Sequence, residues 1–137
     1  MHGPRIALFI LVAALAVPGT PQGAQDPEGG PLEPFTPYLD RTWRGLVDPA
    51  NGVYDVARWE RALQGQAIRM RHSVADGAYG GETLVMWDRE REQIVYYYFT
   101  TAGFYTSGTM EFDAEGRIHS RELVTGNEAG VSEVRAV

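Results

Sequence analysis

The chain contains no cysteine and no lysine, and no apolar run in it reaches the length of a membrane-spanning helix. Without cysteine there is no lipidated anchor at a cleavage point, no disulfide framework and no thiolate metal site. The basic residues are all arginine, which reads as the codon composition of a GC-rich bacterium rather than as chemistry. They are scattered singly in a chain of net charge −6. That distribution lacks the basic patch needed for nucleic acid or for an anionic membrane surface. Histidine is also scarce. His2, His72 and His119, even together with Glu82, have no ligand-like spacing, so no metal site is expected.

What is present begins with an export pattern. Arg5 precedes the apolar stretch from Ile6 to Val17, and Pro18, Gly19 and Pro21 break it before small residues follow. This order is that of a secretory signal peptide. A bilayer-crossing helix needs about 20 apolar residues, and no basic stop-transfer cluster follows. Cleavage after Ala16 or after Ala24 fits, and residues 1–24 are assigned to the signal. A secreted or periplasmic location in a bacterium is expected, where disulfide-free exported domains are common. Residues 25–37 are rich in Pro, Gly, Gln and Glu and read as a flexible lead-in. A domain over 38–137 follows, of ordinary single-domain size.

That domain alternates apolar and polar residues with turn signals about every ten positions. The expected strands are 42–47, 54–63, 67–74, 82–87, 94–100, 104–112, 117–124 and 131–137. A helical turn remains an alternative within 54–63, where Val56, Trp59 and Ala62 recur at helical spacing. The densest signal is Tyr96 to Gly108, two aromatic runs joined by Thr-Thr-Ala-Gly. It reads as a central β-hairpin. Short links throughout predict an all-β fold, an antiparallel up-and-down meander curling into a barrel. The last strand has nothing to close on, so either it pairs with the first or closing strands lie beyond Val137.

Period-two alternation sorts the side chains. Ile68, Met70, His72 and Val74 share a face expected to point inward, opposite Arg69 and Arg71. Tyr96 and Tyr98 share a face, as do Phe104, Thr106, Gly108, Met110 and Phe112. The candidate ligand-binding residues are Met70, His72, Glu82, Trp87, Tyr96, Tyr98, Phe104 and Met110, with Arg121 a further polar candidate. A concave apolar wall carrying a few polar groups suits a small hydrophobic molecule, although small barrels are often filled by their own side chains. His72 and Glu82 are the catalytic candidates, as a proton-transfer pair. Haem held by His72 alone is the only cofactor the residues suggest, and none is assigned.

The segments Thr42–Gly45 (TWRG), Asp55–Val74, Tyr79–Asp88 and Tyr96–Met110 together make the chain resemble a lipocalin-like β-barrel of the calycin type. More narrowly it resembles a family of uncharacterised bacterial secreted proteins. The resemblance implies a barrel that holds a small hydrophobic molecule, a minority of such barrels being enzymes. It implies no particular activity, and fold analogy is a weak warrant for function. Three readings follow: a ligand-binding protein, an enzyme using His72 and Glu82, and a non-catalytic interaction module with a filled barrel.

Overall fold

A computed structural model describes residues 30–137. The expected signal over 1–24 lies outside the described residues. The described residues form one sheet of eight antiparallel strands in the order of the sequence. These are β1 (Arg41–Asp48), β2 (Val53–Ala62), β3 (Ala67–Val74), β4 (Tyr79–Asp88), β5 (Gln93–Thr100), β6 (Tyr105–Phe112), β7 (Ile118–Thr125) and β8 (Glu133–Ala136). The up-and-down meander expected from the sequence is what forms, and the 54–63 segment is strand rather than helix. Among the described residues the sheet curls into a half-barrel with both edges open: β1 pairs with β2 alone and β8 with β7 alone.

Local chemistry ends the strands. Asp48, Asp88 and Asp113 each stand at the exit of a strand, and each carboxylate accepts two loop amides: Ala50 and Asn51, Glu90 and Arg91, Glu115 and Arg117. Such side-chain closure of a turn is what Asp supplies. The links β2–β3 and β3–β4 contain Gly65 and Gly77 at φ +85° and +100°, a conformation that costs glycine little.

The lead-in assigned to 25–37 is described from Gly30 onward, and there it has structure. Glu33–Tyr38 is a 3-10 helix with proline in its first turn. It lies across one end of the curl. Phe35 is fully buried, its ring 5.8 Å from Trp59 of β2 and edge-on to Phe112 of β6 at 4.9 Å. The Tyr38 hydroxyl donates to the Gly116 carbonyl in the β6–β7 turn at 3.3 Å. One short helix thus ties β2 to β6, strands far apart in the sheet. Phe35 belongs to one apolar core on the concave face with Leu32, Ile68, Met70, Val85, Ile94, Tyr96, Tyr98, Met110 and Ile118.

Candidate functional site

Polar side chains enter this concave face at the end away from the 3-10 helix. Asp55 of β2, His72 of β3, and Thr106 and Glu122 of β6 and β7 are all buried there. Burying such groups is costly unless each finds a partner, and each does. His72 Nδ1 lies 3.0 and 3.1 Å from the two Asp55 carboxylate oxygens. On the other side of the ring, Nε2 lies 2.6 Å from the Tyr98 hydroxyl. That hydroxyl is 3.1 Å from the hydroxyl of Tyr79, which is only half-buried. The result is a continuous chain, Asp55–His72–Tyr98–Tyr79, running from a sealed carboxylate toward solvent.

The register explains how Tyr98 reaches a residue two strands away. His72 pairs with Gly81, and Gly81 with Thr100, while Tyr98 pairs with Thr83. A Cβ at Gly81 would collide with the edge of the Tyr98 ring and with the Phe99 carbonyl. The missing side chain is therefore the passage through which Tyr98 crosses β4. The same device recurs one step along the sheet. Tyr96 pairs with Gly108, and Gly108 with Glu122. The Tyr96 hydroxyl donates to Glu122 Oε2 at 3.0 Å, and the Thr106 hydroxyl donates to the same oxygen at 2.5 Å. A Cβ at Gly108 would meet the Arg121 carbonyl and the Glu122 Cα. Aromatic side chains laid over strand glycines are a known way of filling a sheet. Here each carries a hydroxyl to a polar partner.

Burial sets the electrostatics. It raises the Glu122 carboxyl above the ordinary glutamate range, against the pull of the Thr106 and Tyr96 hydroxyls. It also raises the phenols of Tyr98, Tyr96 and Tyr79. The negative charges of Asp55 and Glu122 both add to the rise at Tyr79 and Tyr98, so the two clusters share one field.

Glu122 gives the site a pH signature. Its folded value lies above its unfolded one. Its contribution to stability is therefore complete below the ordinary glutamate value of about 4.3 and is lost as pH rises through the folded value. Glu122→Gln keeps an oxygen for Tyr96 and Thr106 and cannot ionise. Its melting temperature is expected to stay close to wild type at about pH 4 and to exceed it at about pH 8. A gap between the two proteins that does not change with pH would remove Glu122 as the source.

The sequence candidates fall in three places. Met70, His72, Tyr96, Tyr98 and Met110 are buried on the concave face, and Trp87 lies half-buried. Phe104 sits outside the strands, in the β5–β6 turn, where its amide and carbonyl are held by Thr100 Oγ1. Glu82 is not with His72. It pairs with Arg71 in the register, shares the convex face with it, and lies 3.3 Å from Arg69 Nε. The expected His72–Glu82 pair is thus replaced by His72–Asp55. Arg121 is likewise on the convex face, exposed and paired with Glu133 at 3.1 Å, and its neighbour Glu122 is the residue that turns inward. Sequence reasoning missed Asp55, Tyr79, Thr106 and Glu122. A signal for Asp55 existed: it alternates with Ala57 and Trp59, which share its face. Both His72 ring nitrogens face a partner, so no free nitrogen is left for haem. Among the described residues no cluster of His, Asp and Glu suits a metal ion, and no helix is long and apolar enough to cross a membrane.

A pocket of about 730 Å³ lies at the opposite end, beside the 3-10 helix. Trp87, Ile94, Met110 and Phe112 form its apolar wall. Gln93, Ser120 and Arg135 are among its polar members, and Pro34 comes from the helix. No family model, no curated protein and no solved structure matches this chain.

Proposed function

We propose that this is an exported, lipocalin-like protein that holds a small apolar or amphipathic molecule in the pocket beside the 3-10 helix. The observation that carries this reading is the pocket itself, whose volume suits a small molecule. Its wall pairs an indole, a thioether and a benzyl ring with a few polar groups at the margin. Flexible Met110 and flat Trp87 can adapt to ligands of varied shape. The apolar run after Arg5 supports export, and the curled antiparallel sheet supports the barrel likeness.

Titration with 8-anilinonaphthalene-1-sulfonate tests the reading. Saturable binding that raises the melting temperature is expected. Trp87→Ala should weaken it about tenfold, the effect of about 1.4 kcal/mol of lost contact. A dye that neither saturates nor stabilises the protein would sink the proposal.

A second reading, an interaction module, is favoured by the outer face. Tyr97, Phe99 and Tyr105 are 52%, 51% and 40% exposed there, and their rings pack in a row. Exposed aromatic patches mark contact surfaces. If Tyr97→Ser with Phe99→Ser abolishes dye binding while Trp87→Ala leaves it intact, this reading replaces the first.

A further inference from the structure

The chain Asp55–His72–Tyr98–Tyr79 lies at the end of the concave face away from the pocket, and ligand binding in the pocket makes no use of it. Its order matters. The buried end is a carboxylate held against an imidazole, and the half-buried end is a phenol hydroxyl. Each internal contact is at hydrogen-bonding distance, so hydrogens can be placed along it in two consistent ways. With Nδ1–H donating to Asp55, Nε2 accepts from Tyr98, Tyr98 accepts from Tyr79, and the lone pairs of Tyr79 face outward. With a second proton on the ring, Nδ1–H still donates to Asp55, but Nε2–H now donates to Tyr98, Tyr98 donates to Tyr79, and Tyr79 points its hydrogen outward.

We infer that these four residues form a proton-accepting relay and that the Tyr79 hydroxyl is its binding end for a small molecule with an acidic O–H group, an enol or an activated phenol. The transfer balances without a co-reactant. The bound molecule's O–H proton passes to the Tyr79 oxygen, the Tyr79 proton to Tyr98, and the Tyr98 proton to His72 Nε2. The products are an imidazolium beside the Asp55 carboxylate and a ligand oxyanion that accepts a hydrogen bond from Tyr79. Neither phenol has to hold negative charge, and burial together with the nearby carboxylates makes both phenols reluctant to do so. The charge ends instead as an imidazolium–carboxylate ion pair whose two partners are already in contact before the ligand arrives, a preorganised arrangement. An imidazole takes a proton readily from an enol or an activated phenol but not from a simple alcohol, which sets the ligand class. Tyr79 is then the contact residue, while Asp55, His72 and Tyr98 act through it.

The probe is 4-nitrophenol, whose anion absorbs visible light and whose neutral form does not, added to the full chain at fixed pH. In the wild type the bound probe's ionisation equilibrium is expected to shift toward the anion by about tenfold or more. NMR of the His72 ring should show the imidazole gaining a proton as the probe binds. Tyr98→Phe, which breaks the chain and leaves Tyr79 in place, should still bind the probe but lose both signals. Tyr79→Phe changes only a half-buried hydroxyl and decides the matter if Tyr98→Phe does not fold. It should lose both signals as well. Probe that does not bind the wild type, that binds as the neutral phenol, or that ionises equally in the variants overturns the inference. Repeating the titration with Trp87→Ala separates this site from the pocket, since that change should leave the anion signal intact. An anion signal lost with Trp87→Ala and kept in Tyr79→Phe would place the probe in the pocket and sink the relay.

Discussion

Phe35→Ala is expected to lower the unfolding free energy by about 3–5 kcal/mol, the range for deleting a buried phenyl ring. Three features put it toward the upper end. The ring is fully buried, it makes a stacked pair with Trp59, and it makes an edge-on pair with Phe112. Aromatic pairs add about 0.5–1.5 kcal/mol beyond their buried area. The space left behind would lie between β2 and β6, walled by strands whose positions are held by backbone ladders, so collapse can fill little of it. Urea denaturation checks the cost. Hydrogen exchange checks the cause: the amides of Phe35 and Leu39, bonded to the Leu32 and Thr36 carbonyls, should lose protection before the central strands do. A loss below about 1.5 kcal/mol would show that the 3-10 helix is an appendage and not part of the core.

His72→Leu is expected to cost about 3–5 kcal/mol, because it strands a buried carboxylate. Asp55 is only 5% exposed, and the ring nitrogen of His72 faces both its oxygens. The Tyr98 hydroxyl loses its 2.6 Å partner in the same step. Adding Asp55→Leu removes the stranded charge, and the double variant should recover most of the loss, since apolar replacement of a buried pair is often close to neutral. The coupling energy from the double-mutant cycle is the measurement. Additive losses in the two single variants would mean that the pair is not coupled, and the relay would lose its anchor.

The two expected results rest on residues of unequal legibility. Strand positions were open to reading because each strand solves a local problem: one face apolar, one polar, with turn residues at both ends. The segment 67–74 appears with the bounds expected of it, and the Tyr96–Gly108 hairpin forms as expected. Phe35 was harder. It stands in a stretch rich in proline and glycine, and its burial depends on Trp59 and Phe112, distant in the chain, meeting across the curl.

The candidate site was legible by half. His72, Tyr96 and Tyr98 were placed inward by alternation alone, and they are inward. Their partners were not readable in that way. Glu82 was paired with His72 across a hairpin, but the register sets Gly81 opposite His72 and Glu82 opposite Arg71. A shift of one residue moves a side chain to the other face of the sheet. The same step separates exposed Arg121 from buried Glu122.

Period-two alternation and turn chemistry, both short-range, determined that this chain makes an antiparallel meander and which side chains of each strand share a face. The pairing of strands, the curl and the crossing of two tyrosines over two glycines decided which polar groups meet. Those contacts join residues 16 to 26 positions apart. They depend on register and curvature, which arise from the sheet acting as a whole and not from any one segment.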